Sequence, residues 1–228
     1  MKLSIVVPVY NEKGTIREIL RRIQEVDTGL EKEIIVVNDA SSDGTREILE
    51  TIDDPSIRIF HHDKNGGKGR ALQTGFSMAQ GDIILIQDAD LEYDPREYSM
   101  LLAPILDNRA DAVYGSRFLG GPHRVLFFWH YAGNRLLTTL SNMLSNINLT
   151  DMETCYKVIT RPFLDRIKIK SRRFGCEPEI TMKLARLNAR IYEVPISYSG
   201  RDYREGKKIG WKDGLAALFH LFRFKFFD

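Results

Sequence analysis

Cysteine is scarce: 228 residues hold only Cys155 and Cys176, in neither a C-x-x-C pair nor a zinc-type spacing. That excludes a disulfide-stapled scaffold and a structural zinc module, so both thiols read as reduced core residues. Long apolar runs are missing as well, and no window of about 20 residues is apolar enough to span a bilayer. Residues 3–9 form a short strand-like run without a cleavage site, so no signal peptide is expected. Net charge is only +2, which gives no overall field for a nucleic-acid partner. Two nucleotide signatures are absent. No G-x-G-x-x-G follows the first strand, and Lys68 is followed by Gly69 rather than by Ser or Thr. A dinucleotide fold and a Walker-type loop both lose their main support. No repeat, low-complexity tract or linker interrupts the chain.

Apolar residues make up 43% and charged residues 28%, the balance of one sizeable globular domain. The basic residues are unevenly spread. Lys168, Lys170, Arg172 and Arg173 lie close together, and Arg201 to Lys208 form a second group. An anionic partner is therefore expected toward the C-terminal end.

Residues 3–9, 34–37 and the apolar core of 82–87 show the pattern of strands buried on both faces, and 57–61 and 111–116 read as further strands. Helical spacing separates them at 15–26, 45–52, 70–78 and 95–106. Alternating strands and helices predict a parallel α/β sheet through residue 116. Beyond it, the pattern predicts a long helix over 124–144, a strand over 155–159, a helix over 178–187, a strand over 190–197 and an apolar helix over 211–227. The chain reads as a single domain with a nucleotide-binding half, 1–116, and an acceptor- and membrane-facing half, 117–228.

One stretch organises this pattern. The apolar run 83–86 breaks into three acids spaced two apart, Asp88, Asp90 and Glu92. In an extended segment alternate side chains share one side. Two charges roughly 4 Å apart repel by about 4 kcal/mol at an effective dielectric near 20. A positive charge is expected there, and oxygen-only ligands suit Mg²⁺ or Mn²⁺ together with substrate phosphates. The plainer alternative is a solvated turn ahead of a helix start at Asp94-Pro95. The residues that follow the other strands are Tyr10, Asn11, Glu12, Asp39, Asn65 to Lys68 and Arg117, and all belong at the same carboxyl edge, where such sheets bind ligands. Gly66, Gly67 and Gly69 offer backbone N–H groups to an anion at a helix start. Asp39 and the glycines have turn-forming readings of their own.

Taken together, Val7-Pro8-Val9-Tyr10-Asn11-Glu12, Asn38-Asp39-Ala40-Ser41-Ser42-Asp43-Gly44-Thr45, Asn65-Gly66-Gly67-Lys68-Gly69 and Gln87-Asp88-Ala89-Asp90 resemble the family 2 inverting glycosyltransferases of the GT-A fold. Leu91-Glu92-Tyr93-Asp94-Pro95, Gly115-Ser116-Arg117-Phe118, Gly133-Asn134-Arg135, Thr150-Asp151 and the loop from Gly200 to Lys208 are most similar to the polyprenyl-phosphate branch, the dolichyl-phosphate mannosyltransferases and their bacterial counterparts. The resemblance implies a Rossmann-like, mostly parallel sheet flanked by helices. It implies that Pro8, Tyr10, Glu12 and Asp39 hold the nucleotide, with Lys68 and Asp88 beside them. Asp88, Asp90 and Glu92 would surround the metal and the donor diphosphate, and Arg201 and Lys208 would cover it. Arg117, Asn134 and Arg135 would face the acceptor phosphate. Asp90, Arg117 and Arg135 are then the catalytic set. Asn38 and Glu92 depart from the Asp and Gln of close mannosyl members, which leaves the donor open between GDP-mannose and UDP-glucose.

A lipid monophosphate acceptor carries about −1.5 to −2 charge at pH 7 and needs no general base. A saccharide hydroxyl would need one, and Asp151, Glu153, Glu177 and Glu179 are the candidates. An inactive binding module is the non-enzyme alternative. The lipid reading requires contact with a bilayer from the cytoplasmic side. Residues 215–227, from Leu215 to Phe227, are too short to span and suited to the interface. Residues 125–129, from Val125 to Trp129, are a second candidate.

Overall fold

The computed structural model describes the chain except residues 126, 173–174, 203–204, 206–210 and 228, and the side chains of 211–213 and 215. In chain order the elements are β1 (Lys2–Val9), α1 (Ile16–Glu25), β2 (Glu31–Asn38), α2 (Thr45–Leu49), β3 (Ile57–His61), α3 (Lys68–Met78) and β4 (Ile83–Ile86). A 3₁₀ turn, Pro95–Glu97, leads into α4 (Tyr98–Leu106). Then come β5 (Ala112–Ser116), α5 (Phe128–Ser145), β6 (Lys157–Thr160), α6 (Arg161–Leu164), α7 (Cys176–Arg186), β7 (Ile191–Pro195) and α8 (Trp211–Phe226).

Seven strands form one sheet in the order β3-β2-β1-β4-β6-β5-β7. The apolar runs explain its centre. Ile5, Val6 and Val7 of β1 and Ile83, Ile84 and Leu85 of β4 are wholly buried, with helices covering both faces. Pro8 is tolerated in a central strand because β4 pairs β1 only from Leu3 to Val6, so no ladder bond is lost at Pro8 on that side. Parallel pairing holds for β1, β2, β3 and β4 and again for β5 with β7. The strand β6 runs antiparallel and lies between β4 and β5.

One expectation needs correcting. The long helix begins at Phe128 rather than at residue 124, because the preceding segment pairs elsewhere. The Arg124 N–H donates to the Tyr198 carbonyl at 2.8 Å, and His123 bridges to Tyr198. The apolar residues of the C-terminal helix divide between two sides of it. Ala217, Leu221 and Phe224 are buried where α8 packs on α5 and α7. Phe219, Phe222 and Phe226 face solvent. Among the described residues, no helix is long and apolar enough to cross a membrane.

Candidate active site

The carboxyl ends of β1, β2 and β4 deliver Glu12, Asp39 and Asp88 to one edge, as parallel strands must. Glu12 follows a left-handed Asn11, whose φ is 54°. Asn11 and Ser42 tie the first two loops together, the Ser42 N–H donating to Asn11 Oδ1 at 2.8 Å. The Glu12 carboxylate is buried and accepts from Arg201, Nη1 to Oε2 and Nη2 to Oε1, each at 3.3 Å. Tyr10 is 41% exposed at the rim and Pro8 is half-buried beside it.

Asp39 is placed differently from the expectation. Its carboxylate is 2% exposed and turned inward. It accepts from the Gly66 N–H at 3.0 Å and the Gly67 N–H at 2.6 Å, and meets His62 Nδ1 at 2.7 Å. His62 Nε2 in turn meets Thr74 Oγ1 at 2.9 Å. Two of the three glycine N–H groups expected to hold a ligand anion, those of Gly66 and Gly67, are thus occupied by a carboxylate of the protein itself. Gly67 has a φ of 85°, a backbone shape open to glycine at no steric cost. Gly69 allows α3 to approach the segment before α7, since a Cβ there would lie 2.2 Å from the Ser171 carbonyl oxygen.

The three acids after β4 do not converge on one point. Leu91 has a φ of 64°, so the segment is a turn and the alternation of an extended strand fails. Glu92 swings away and accepts from the Tyr198 hydroxyl at 2.7 Å and the Arg201 N–H at 2.7 Å. Arg201 Nη2 reaches Asp90 Oδ2 at 3.1 Å. Asp88 faces Lys68 Nζ at 2.9 Å. Among the described residues, no three His, Cys, Asp or Glu side chains make a ready metal-binding group.

The charges nevertheless leave room for a cation. Four carboxylates, of Glu12, Asp88, Asp90 and Glu92, face two cationic side chains, Lys68 and Arg201. Burial, and then the neighbouring Asp88 and Glu92, push the Asp90 carboxyl up to about 7. A group that resists ionising beside a guanidinium needs more positive charge than it has. The donors are all oxygen, a set that fits a hard divalent ion.

Arg117 lies one ring away. Asp151, wholly buried, accepts from Arg117 Nε at 2.6 Å and Nη2 at 2.7 Å. Burial opposes the charge, but Asp151 holds the Arg117 guanidinium charged. The guanidinium stacks on Tyr198, 5.1 Å from the ring centroid. Tyr198 therefore joins Arg117 to Glu92. Asn134 accepts from the Thr138 hydroxyl at 3.2 Å, and Thr138 accepts from the Met152 N–H at 3.1 Å. That chain ties α5 to the Asp151 segment. Arg135 is exposed on α5, and among the described residues no hydrogen bond or ion pair joins its side chain to Asp90 or Arg117. Lys208 lies outside the described residues.

Several groups escaped sequence reasoning. Tyr198 carries no signal of its own in the sequence, and Asp151 reads only as part of the Thr150-Asp151 motif and as a rival base. His62 carried no signal. Glu177 sits on α7 with Oε1 at 3.1 Å from Lys68 Nζ. Lys157, a lysine in an otherwise apolar strand, was the available clue to buried charge. Its ammonium donates to the Met152 and Thr154 carbonyls.

Comparison with known proteins places these features. Residues 4–168 match the family model described as glycosyl transferase family 2. An undecaprenyl-phosphate mannosyltransferase of Micrococcus luteus is 31% identical, over 96% of this chain and 92% of that protein. A dolichol-phosphate mannosyltransferase of Pyrococcus furiosus is 27% identical, over 98% of this chain but only 63% of that protein. The fold matches glucosyl-3-phosphoglycerate synthase from Mycobacterium tuberculosis, solved with Mn²⁺, uridine diphosphate and phosphoglyceric acid. The TM-score is 0.76 at 20% identity, covering 100% of this chain and 79% of that one.

Proposed function

The chain belongs to glycosyltransferase family 2, and from that premise we propose that it moves a hexose from a nucleoside diphosphate sugar to a polyprenyl phosphate, inverting the anomeric carbon. The observation that carries this reading is the Glu92–Tyr198–Arg117 bridge, which sets a guanidinium for an acceptor phosphate beside the acids of the donor. Asp151 occupies Nε and Nη2 of Arg117 and leaves Nη1 for a phosphate oxygen. The names of the relatives support a lipid phosphate acceptor. Such a nucleophile is already ionised, so the protein's task is alignment and stabilisation of the leaving group. Asp88 and Asp90 would hold a divalent cation, Mg²⁺ or Mn²⁺, and Glu92 anchors the late loop. When bound, that cation supplies positive charge to the departing diphosphate. Arg201, now clamped to Glu12 and Asp90, turns its charge to the same oxygens, with Lys208 and Arg135 as further cationic contacts on the donor and acceptor sides. Asn134 helps seat the acceptor. Pro8 and Tyr10 flank the base, and Asp39 shapes the glycine loop beneath it.

The test is nucleoside diphosphate release from GDP-mannose and UDP-glucose, with Mg²⁺ or Mn²⁺, against a short polyprenyl phosphate or an oligosaccharide. Release with the lipid phosphate and none with the oligosaccharide is expected. The reverse pattern would move the acceptor to a sugar hydroxyl. Glu153 would then be the base, since burial and Glu177 push its carboxyl up to about 7 and its Oε1 is buried without a partner among the described residues.

The acceptor also requires a membrane surface. Val125 is 86% exposed and Trp129 81%, and Phe219, Phe222 and Phe226 line the free face of α8 above Arg223 and Lys225. This pattern supports peripheral attachment to the cytoplasmic leaflet through both segments. Vesicles of zwitterionic and anionic lipid should sediment the protein. The exposed pair Phe128→Ser with Trp129→Ser should weaken that binding at least about 100-fold, in line with the apolar area lost. Unchanged sedimentation would rule this surface out.

A further inference from the structure

Lys68 is the first residue of α3, and only 18% of its side chain is exposed. Its ammonium is shared. It lies 2.9 Å from Asp88 Oδ1, 3.0 Å from Asp88 Oδ2 and 3.1 Å from Glu177 Oε1. The second oxygen of Glu177 accepts from Cys176 Sγ at 2.9 Å. Burial alone would raise the Glu177 carboxyl, but Lys68 and then Lys157 hold it down to about 2. Cys155 stands next to Asp88, and Glu153 faces Glu177 from the same side.

The backbone that carries the lysine is held in place. Gly69 abuts the Ser171 carbonyl. The Arg70 N–H donates to the Arg172 carbonyl at 3.1 Å, and Gln73 Nε2 to the Ser171 carbonyl at 3.1 Å. The start of α3 is thereby fixed to the segment leading into α7. A fixed ammonium on Asp88 competes with any divalent cation for that carboxylate, and a carboxylate on its far side draws it back.

We infer that Lys68 and Glu177 are positioning residues that together set how strongly Asp88 holds the divalent cation, Lys68 opposing the ion and Glu177 relieving that opposition through Lys68. The inference rests on the reading of Asp88 as a cation ligand.

The experiment measures Mn²⁺ binding to the full chain, without nucleotide or sugar, by loss of the free-ion electron paramagnetic resonance signal. Lys68→Met should tighten Mn²⁺ binding about 10-fold and Glu177→Gln should weaken it about 10-fold, as expected for one partly screened charge a few ångströms away. Lys68→Arg, which keeps the charge, should stay within about 2-fold of the parent. The double variant decides the route. With Lys68→Met present, Glu177→Gln should change Mn²⁺ affinity less than about 2-fold, because the intermediary is gone. An undiminished 10-fold effect in that background would overturn the inference, as would equal losses in both single variants. If Lys68→Met does not fold, Lys68→Gln carries the same comparison. If Asp88→Asn leaves Mn²⁺ affinity unaltered, the ligand reading fails first, and that result is separate from the coupling of the pair.

Discussion

Asp90→Asn should cut nucleoside diphosphate release at least about 1,000-fold, equivalent to about 4 kcal/mol of transition-state stabilisation, and leave the melting temperature level or higher. The two effects have one cause. Asp90 is half-buried beside Asp88 and Glu92, and its carboxyl is pushed up to about 7. In the empty protein this negative charge is held against burial and repulsion, offset by Arg201 Nη2 at 3.1 Å. An amide of the same shape removes the repulsion, while Arg201 keeps Glu12 and Glu92 as partners. What the amide cannot do is hold a divalent ion against a diphosphate. Steady-state rates and calorimetry on the same preparation check the pair of outcomes. A variant that keeps more than a tenth of the parent rate would show that Asp90 is not a ligand. One that loses rate and melts far lower would show a scaffold role instead.

Arg117→Met should have the largest effect on stability. Asp151 is wholly buried, and Arg117 satisfies both of its oxygens. Removing one partner of such a pair leaves an uncompensated buried charge, at a cost of about 3–5 kcal/mol. For a chain of this size that lowers the melting temperature by roughly 6–20 °C. Replacing both, Arg117→Met with Asp151→Leu, should recover most of the loss, since a well-packed apolar pair often matches a buried ion pair. Activity with the lipid phosphate should remain absent in the double variant, because the guanidinium is gone. Recovery of both stability and turnover would reduce the pair to a structural role.

Much of the framework was legible because it rests on local patterns. The unbroken β-branched runs of β1, β2 and β4 announce strands covered on both faces, and the turn at Asp88 follows the last of them directly. Pro8 marked the strand end that β4 does not reach. The direction of β6 was hidden, since Lys157-Val158-Ile159-Thr160 carries no sign of polarity and its orientation is imposed by the connection that returns it between β4 and β5. Side-chain directions after a turn were hidden too. One positive φ at Leu91 was enough to send Glu92 to Tyr198 rather than to Asp88. The remote partners were the least accessible. Nothing near Lys68 in the sequence names Glu177, and nothing near Arg117 selects Asp151 over Glu153. The approach of α3 to the segment before α7 brings Lys68 to Glu177, and the pairing of β5 with β6 sets Arg117 near Asp151.

The antiparallel strand has a further consequence for how this protein is made. Until residues 157–160 are synthesised, the edge of β4 at Ile83, Ile84 and Leu85 has no occupant, and β5 has no neighbour, because its partners are β6 and β7. A nascent chain ending at Ser116 carries the loops that follow β1, β2 and β4 yet leaves β4 as an open apolar edge, the kind of edge that invites pairing with other chains. The later segment is thus the keystone of the earlier one, and the two halves mature as a single body.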